Sequence, residues 1–586
     1  MQTSEEIVEP QQTAEVRPAP QWFILPKPVE LVMAFALIFA VMSGIEFGGP
    51  AILDNDGFYH MRWSRTLREQ FPHLPRFQAL PLTSLNEKDY VDHHYLFHVL
   101  LMPFTFGEDM RLGAKWAAVI FASLGILSLF ALLLAFDVRY RWLWLAPILA
   151  SSEPFLYRMS MTRAPALSLG MIGLGAYLIL KRKYAWLALL SFAFVWYYSL
   201  FPLIFIIAAL YSVTVYLAER RIEWRAPLWS FAGILAGLVI NPYFPKNLHL
   251  LWEHVLMKAT AGSGYAVDVG VEWYPYDAWD LVRLSALAFV IFIAGLAAFE
   301  YRRRGRDLKP LFFLLVSLVL LLMAFKSRRF IEYWPPFAVL FAALTISPRL
   351  AEFDRSWFAG AHVSSLYLKF IRGLAGLVRM ITNSASRGEA EFSDLQAFGS
   401  RFMRHRERAV AAIAAAIAAV TIGASMIVTV TQARADMKAE PDPYDYQGAS
   451  QWIAANVPPG AMIFNTDWDD FPMLYYYNPN NPYIVGLDPT YLYDRDRELW
   501  KLYARITLGE EEDPAGLIRE RFGAEYVFTD NQHGDFLENA ATSGKFETLY
   551  TDAKTTVLRI RSAAEIKKID TERQGTSDDT DDSGAE

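Results

Sequence analysis

The chain has 586 residues, of which 54% are hydrophobic, 15% aromatic and 20% charged, with a formal net charge of −7. That balance is too apolar for an ordinary soluble protein, and it excludes intrinsic disorder, collagen and a cationic nucleic-acid binder as whole-chain readings. The absence of cysteine excludes disulfides, thiolate metal sites and cysteine nucleophiles.

The charge is unevenly placed. Residues 570–586 hold seven acids and one base, residues 433–569 hold 23 acids and 14 bases, and residues 1–432 therefore sum to +8. Residues 1–28 are polar, acidic and proline-bearing. They have no basic n-region and no short apolar stretch before a small-residue cleavage site, so they read as a disordered cytoplasmic tail rather than a signal peptide. The first apolar run, Leu31 to Ile45, opens a membrane part spanning 29–432. Further runs centre near 113–136, 142–153, 164–181, 184–200, 202–218, 226–243, 281–299, 310–325, 331–347 and 409–431. Together they predict a polytopic α-helical membrane protein of about 11 spans, with about 9 to 13 as the range.

Basic clusters orient the spans. Arg139/Arg141, Lys181/Arg182/Lys183, Arg220/Arg221/Arg225 and Arg302/Arg303/Arg304/Arg306/Lys309 fall on alternate connections, and the segment 348–408 adds ten bases against six acids. Within that segment Leu366 to Ile381 reads as an amphipathic interfacial helix. The positive-inside rule assigns all of these to the cytoplasm, so an odd span count leaves the N-terminus inside and the C-terminal domain outside. Tyr95 to Phe106 is apolar but short, and it reads as an interfacial helix within a first external loop, 46–112. The external face then comprises that loop, the turn at 153–163, the loop at 241–280 and a corner at 326–330.

The acids on this face are the candidate chemistry. Asp54 and Asp56, just past the first span, can hold a divalent cation through hard oxygens, one of them can act as a base, or the pair is an exposed acidic turn. Asp92-His93-His94 later in the loop is a second candidate ligand set, although adjacent histidines seldom point at one ion. Glu272, in Val271-Glu272-Trp273-Tyr274-Pro275, is flanked by apolar and aromatic residues, and its plain alternative is a surface glutamate. Lys326-Ser327-Arg328-Arg329-Phe330 puts basic residues on the face the topology rule disfavours. An anionic lipid phosphate or diphosphate accounts for them, since arginine grips two oxygens at once; headgroup contacts account for them equally.

In their order along the chain these residues resemble the GT-C fold of polytopic glycosyltransferases, most closely the catalytic subunit family of oligosaccharyltransferases. Asp56-Gly57-Phe58-Tyr59-His60-Met61-Arg62 is similar to that family's first-loop acidic motif, whose aspartate approaches the divalent metal and the acceptor. Val271–Pro275 is similar to its later-loop glutamate motif, and Arg329-Phe330 to its Arg-Phe pair near the donor phosphates. Trp468-Asp469-Asp470-Phe471 resembles a degraded Trp-Trp-Asp-Tyr-Gly acceptor motif. The correspondence covers about residues 30–560. It implies Asp56 and Glu272 as catalytic residues, Arg329 and Arg328 as donor-phosphate ligands, Asp56, Asp54, Glu272 and His93 as ligands of a divalent Mg or Mn, and Trp468, Asp469 and Asp470 as acceptor-binding residues. One departure bears on the metal. The family's second external loop carries a further Asp-x-Asp, whereas Arg158-Met159-Ser160-Met161-Thr162-Arg163-Ala164-Pro165 has no carboxylate and only Glu153 lies upstream. The three-carboxylate site is incomplete unless Asp54, Glu153 or the Asp92–His94 cluster substitutes.

Residues 433–569 predict a soluble extracytoplasmic α/β domain, with helices over Tyr446–Ala455 and Glu498–Thr507 and strands over Ala461–Asn465, Tyr483–Val485, Glu525–Thr529 and Thr555–Ile560. Tyr475, Tyr476, Tyr477, Tyr491 and Tyr493 read first as a half-buried core wall and second as a sugar or peptide platform. Residues 570–586 read as a disordered acidic end. The expected function is transfer of a sugar or glycan from a polyprenyl-phosphate or polyprenyl-diphosphate donor to a protein, lipid or glycan acceptor on the outer face of the cell membrane, with no nucleic-acid partner. The nearer rival uses a polyprenyl-monophosphate sugar to modify a lipid, polysaccharide or protein hydroxyl. A lipid or solute transporter ranks lower, because no internal repeat is seen and the acids cluster at span ends on one face.

Overall fold

The computed structural model describes residues 25–252, 267, 270–300, 307–359 and 395–567. Residues 1–24 of the expected 1–28 tail, the tail at 570–586 and the interfacial helix at 366–381 lie outside the described residues, and the helix opening the membrane part begins at Lys27, two residues inside the expected tail.

Every one of the eleven apolar runs forms a helix. The first ten helices in chain order are α1 (Lys27–Glu46), α2 (Asp56–Gln70), α3 (Tyr95–Leu101), α4 (Met110–Ala135), α5 (Arg141–Ala150), α6 (Glu153–Met159), α7 (Pro165–Leu180), α8 (Tyr184–Tyr197), α9 (Pro202–Glu219) and α10 (Arg225–Val239). By length and composition, five helices can cross a bilayer alone: α1, α4, α9, Leu308–Lys326 and the Ile413–Ala439 part of a helix that runs from Leu395 to Ala439. The pair Ala278–Leu284 and Ala286–Ala298, bent by 84°, makes up to six. Helices α7, α8 and α10 are apolar but shorter, so their ~21–24 Å stops short of a ~30 Å hydrocarbon core. Tyr95–Thr105 is shorter still.

Packing depends on small residues at crossings. A Cβ on Gly125 of α4 would lie 2.1 Å from the Ala166 carbonyl of α7, and one on Gly233 of α10 would lie 2.1 Å from the Ala188 carbonyl of α8. Helix backbones therefore touch at these points, the usual way membrane helices gain contact without a hydrophobic driving force. In α1, Ala34, Ile38, Met42 and Ile45 are buried at helical spacing, while Val32, Met33 and Leu37 are exposed on the opposite side. The basic ends gather away from α2: Arg141 Nε donates to Glu30 Oε2 at 2.6 Å, and Lys27 pairs with Asp137 at 2.8 Å.

The C-terminal unit carries a four-stranded sheet in the order β1-β2-β4-β3, with β1 (Ile463–Asn465), β2 (Tyr526–Asp530), β3 (Phe546–Thr551) and β4 (Thr555–Ile560). β1 runs parallel to β2; β4 is antiparallel to both β2 and β3. The expected strand at 483–485 is a single bridge from Tyr483 to Ile463, and β3 was absent from the sequence reading. Period-2 alternation divides the sheet into two faces. Phe464, Val527 and Leu558 pack with Tyr503, Ile518 and Phe536. Ile463, Phe528 and Val557 face the other way and pack with Tyr59, Trp63 and Phe77 of the first loop. The loop and the sheet thus share one core, and the Phe471–Tyr477 helix lies against α2, with Phe58 and Tyr476 edge-to-face at 5.2 Å. Tyr475, Tyr476 and Tyr491 are buried there, as the core-wall reading expects.

Candidate active site

The site forms where α2 begins. Asp56 is its first residue, and Asp54 precedes it with φ 69°, a left-handed conformation that aspartate tolerates. Gly57 N and Phe58 N donate back to the Asp54 and Asn55 carbonyls, closing the turn, while Asn55 Nδ2 donates to the Asp469 carbonyl of the C-terminal unit. Both carboxylates are thereby held at a helix N-terminus, where negative charge is favoured.

Three other connections converge on this turn. Arg163, two residues before Pro165 opens α7, places Nη2 2.8 Å from Asp56 Oδ2 and Nη1 3.0 Å from Asp54 Oδ2. The same Nη1 lies 3.2 Å from Glu272 Oε2. Glu272 sits in a one-turn helix, Val271–Trp273, whose backbone is fixed by Ser327 Oγ donating to the Glu272 carbonyl at 2.8 Å. Arg158 of α6 donates through Nη2 to Glu272 Oε2 at 2.9 Å and through Nε to Glu332 Oε1 at 2.5 Å. Arg329 Nη1 is 3.5 Å from Glu272 Oε1. Its guanidinium lies 4.4 Å over the Trp273 ring, and its Nη2 donates to the Tyr198 hydroxyl at 3.4 Å.

The electrostatics differ from residue to residue. Burial pushes the Asp56 carboxyl up to about 7; Arg163 opposes the shift, and Asp54, Glu272 and Asp469 add to it. Burial also pushes Glu272 up, but Arg163, Arg329 and Arg158 more than reverse this and hold it well below the usual carboxylate range. Asp469 is raised to about 6 by burial and by Asp54 and Asp467. One face therefore offers a carboxylate poised to exchange a proton near neutrality beside one fixed as an anion.

Asp54, Asp56, Glu272 and Arg329 are brought together as the sequence suggests. Arg328 is not part of the cluster: its N–H donates to the Tyr274 carbonyl at 3.0 Å, its Nε donates to the Pro275 carbonyl at 3.3 Å, and it braces the loop carrying Glu272. The acceptor triplet is split. Asp469 faces the acidic turn, Trp468 packs against the sheet core, and Asp470 is buried toward Tyr446, Asp467 and Asp530. Glu153 shares a side-chain hydrogen bond with Asp436 rather than facing the cluster. Asp92 accepts from Trp63 Nε1 at 3.0 Å and pairs with His98 Nδ1 at 2.8 Å, while His98 Nε2 meets His60 Nδ1 at 2.8 Å. His93 lies against His94, with ring centroids 4.1 Å apart. Sequence reasoning missed Arg158, Arg163, Glu332 and Tyr198. The available signal was the pair of arginines in the turn where acids were expected.

The expected metal fits this arrangement poorly. Among the described residues no group of three or more His, Asp or Glu is arranged to hold a metal ion. A Mg or Mn ion needs oxygens drawn in to roughly 2.0–2.2 Å, whereas a guanidinium lies among these three carboxylates at 2.8–3.2 Å.

No family model matches the sequence, and no curated protein matches it. Solved structures do. An oligosaccharyltransferase from Archaeoglobus fulgidus, tethered to an acceptor peptide containing an NVT sequon, superposes with a TM-score of 0.55 at 14% identity, covering 92% of this chain and 74% of that one. The same organism's AglB, in complex with an inhibitory peptide and a dolichol-phosphate, gives 0.57 at 13% identity, covering 87% and 70%. ArnT from Cupriavidus metallidurans bound to undecaprenyl phosphate gives 0.52 at 14% identity, covering 91% and 98%. All are GT-C fold glycosyltransferases, and the superpositions cover 87–92% of this chain: the chain has the GT-C fold.

Proposed function

We propose that the protein is a membrane glycosyltransferase that moves a sugar or glycan from a polyprenyl-phosphate or polyprenyl-diphosphate donor to an acceptor on the extracytoplasmic face. The observation that carries this reading is the meeting of Asp56 and Arg329 across Glu272: a near-neutral carboxyl on one side and a ring-stacked guanidinium on the other. Polyprenyl phosphates held by two similar proteins support the donor class. The basic ends around Lys27 and Arg141 lie at the far end of α1 from the site, which supports a topology with the N-terminus and basic loops cytoplasmic and the C-terminal unit outside.

In the reaction the bond from the anomeric carbon to the donor phosphate oxygen breaks and a bond to the acceptor atom forms. The electron pair leaves with the phosphate, where Arg329 stabilises the growing charge. The acceptor's proton passes to ionised Asp56. Glu272 stays anionic and aims Arg158, Arg163 and Arg329. Asp56→Ala and Glu272→Gln test the assignment: transfer is lost in both while each protein remains in the membrane, and unimpaired transfer in both removes it.

A second reading, transfer from a polyprenyl-monophosphate sugar to a lipid, polysaccharide or protein hydroxyl, is favoured by the split acceptor triplet. With Trp468 and Asp470 turned into the C-terminal unit, only Asp469 of the three faces the acidic turn. Mass spectrometry of the acceptor distinguishes the two readings, because a glycan lost from asparagine supports the first and one lost from lipid or polymer supports the second.

A further inference from the structure

We propose that Arg163 is the resident cation of the acidic centre, filling the position a divalent metal would take, so that the transferase reaction proceeds without a metal ion. The proposal rests on the glycosyltransferase reading above and adds to it how the acid cluster is neutralised.

Two carboxylates from the start of α2 and one from the Val271–Trp273 turn point at a single guanidinium, with contacts of 2.8, 3.0 and 3.2 Å. The side chains involved are 14% exposed for Arg163 and 18–24% exposed for its partners, so the group is screened from bulk water but open on one side. The Arg163 backbone is fixed as well, its N–H donating to the Met161 carbonyl at 2.8 Å before Pro165 starts α7. Arginine suits the place: it stays charged at any working pH, and its planar fork serves several carboxylate oxygens together.

Charge balance points the same way. Asp54, Asp56, Glu272 and Glu332 face Arg158, Arg163 and Arg329. With Arg163 four carboxylates face three guanidiniums rather than two, which leaves less negative charge to oppose an anionic donor. Arg163 is the cation that pairs with both aspartates, and like charges held together without one are strongly unfavourable. The other acids expected to complete a metal site are committed elsewhere, Glu153 to Asp436 and Asp92 to His98 and Trp63. In the reaction Arg163 forms and breaks no bond. It holds Asp56 toward the acceptor and keeps positive charge beside the departing phosphate.

The test uses the purified full-length protein with Mn²⁺ as the probe, followed by electron paramagnetic resonance. The wild type is expected to show no bound Mn²⁺ that is lost on Asp56→Asn, and its transfer activity is expected to survive EDTA without loss. Arg163→Ala is expected to gain a bound Mn²⁺ that the Arg163→Ala/Asp56→Asn double variant loses. A single Mn²⁺ bound by the wild type and abolished by Asp56→Asn overturns the proposal, as does transfer that EDTA stops and Mn²⁺ restores. The wild-type binding result decides the matter even where the Arg163 variant fails to fold. Failure to detect transfer under any condition counts against the glycosyltransferase reading instead, and leaves the binding result to decide this one.

Discussion

Arg163 and Glu272 lie 109 residues apart in sequence and meet at 3.2 Å, joining the α6–α7 connection to the loop before the bent helix pair. Through this contact the acidic turn of α2 and Arg329 of the Arg328–Glu332 turn belong to one ion network.

That network makes Glu272 the residue whose neutralisation is felt most widely. Glu272→Gln keeps the side chain's size but removes the charge shared by Arg158, Arg163 and Arg329. Transfer should fall by roughly 10²-fold or more, as when a buried charge partner is withdrawn from a preorganised site. Single-turnover rates on membrane fractions with equal protein levels check it.

The rate should depend on pH through Asp56. Its carboxyl is raised to about 7, and the base form is the ionised one, so transfer should rise as pH passes upward through about 7 and be lost as pH falls below it. Asp469 contributes to that upward shift. Asp469→Asn should therefore move the inflection to lower pH, while the Asn55 bond to the residue's backbone carbonyl survives. A pH–rate profile of both proteins measures the shift, and an unmoved inflection counts against Asp56 as the titrating group.

The two adjacent arginines should separate. Arg329 reaches Glu272 and Tyr198, whereas Arg328 is occupied by the Tyr274 and Pro275 carbonyls. Arg329→Ala should cost about 10²–10³-fold in transfer, the scale for losing a donor that faces developing charge. Arg328→Ala should act through loosening of the loop, with a milder loss and a lowered thermal midpoint. Donor-concentration series for the two variants give the comparison.

The crossing of α4 and α7 should be intolerant of added volume. Gly125→Leu would drive carbon atoms into the Ala166 carbonyl, already 2.1 Å from where a Cβ would stand. Overpacking of this kind costs at least about 1–3 kcal/mol, and it displaces the α7 start that positions Arg163. Gly423→Ala is the control, since nothing lies within 4 Å of its added carbon and alanine is worth about 1 kcal/mol over glycine in a helix. Thermal unfolding in detergent should show the first variant lowered and the second unchanged or raised.

Much of the fold was legible because apolar run length is a strong local signal. All eleven runs became helices, and the strand at Thr555–Ile560 appears with the bounds its alternation suggests. β3 escaped notice because Phe546–Thr551 buries only its first residue, so its pattern lacks the alternating apolar face. In the site, Asp54, Asp56, Glu272 and Arg329 were legible as charges at span ends. Arg163 was not, because its meaning lies in three partners 107 to 109 residues away, Asp54 and Asp56 before it and Glu272 after it. The acceptor triplet misled for a related reason: adjacent residues at the head of a short helix point in different directions, so Asp469 and Asp470 part company. The helix from Leu395 runs to Ala439, past the composition change near residue 433, since backbone hydrogen bonding continues where hydropathy falls.

The central claim is that Asp56 and Glu272 serve glycosyl transfer. The most direct measurement is mass spectrometry of glycoproteins, lipids and surface glycans from cells carrying the wild type, Asp56→Ala or Glu272→Gln at matched membrane levels. A glycan-bearing product is expected to be present with the wild type and missing with both variants. The same products at the same abundance in all three would contradict it.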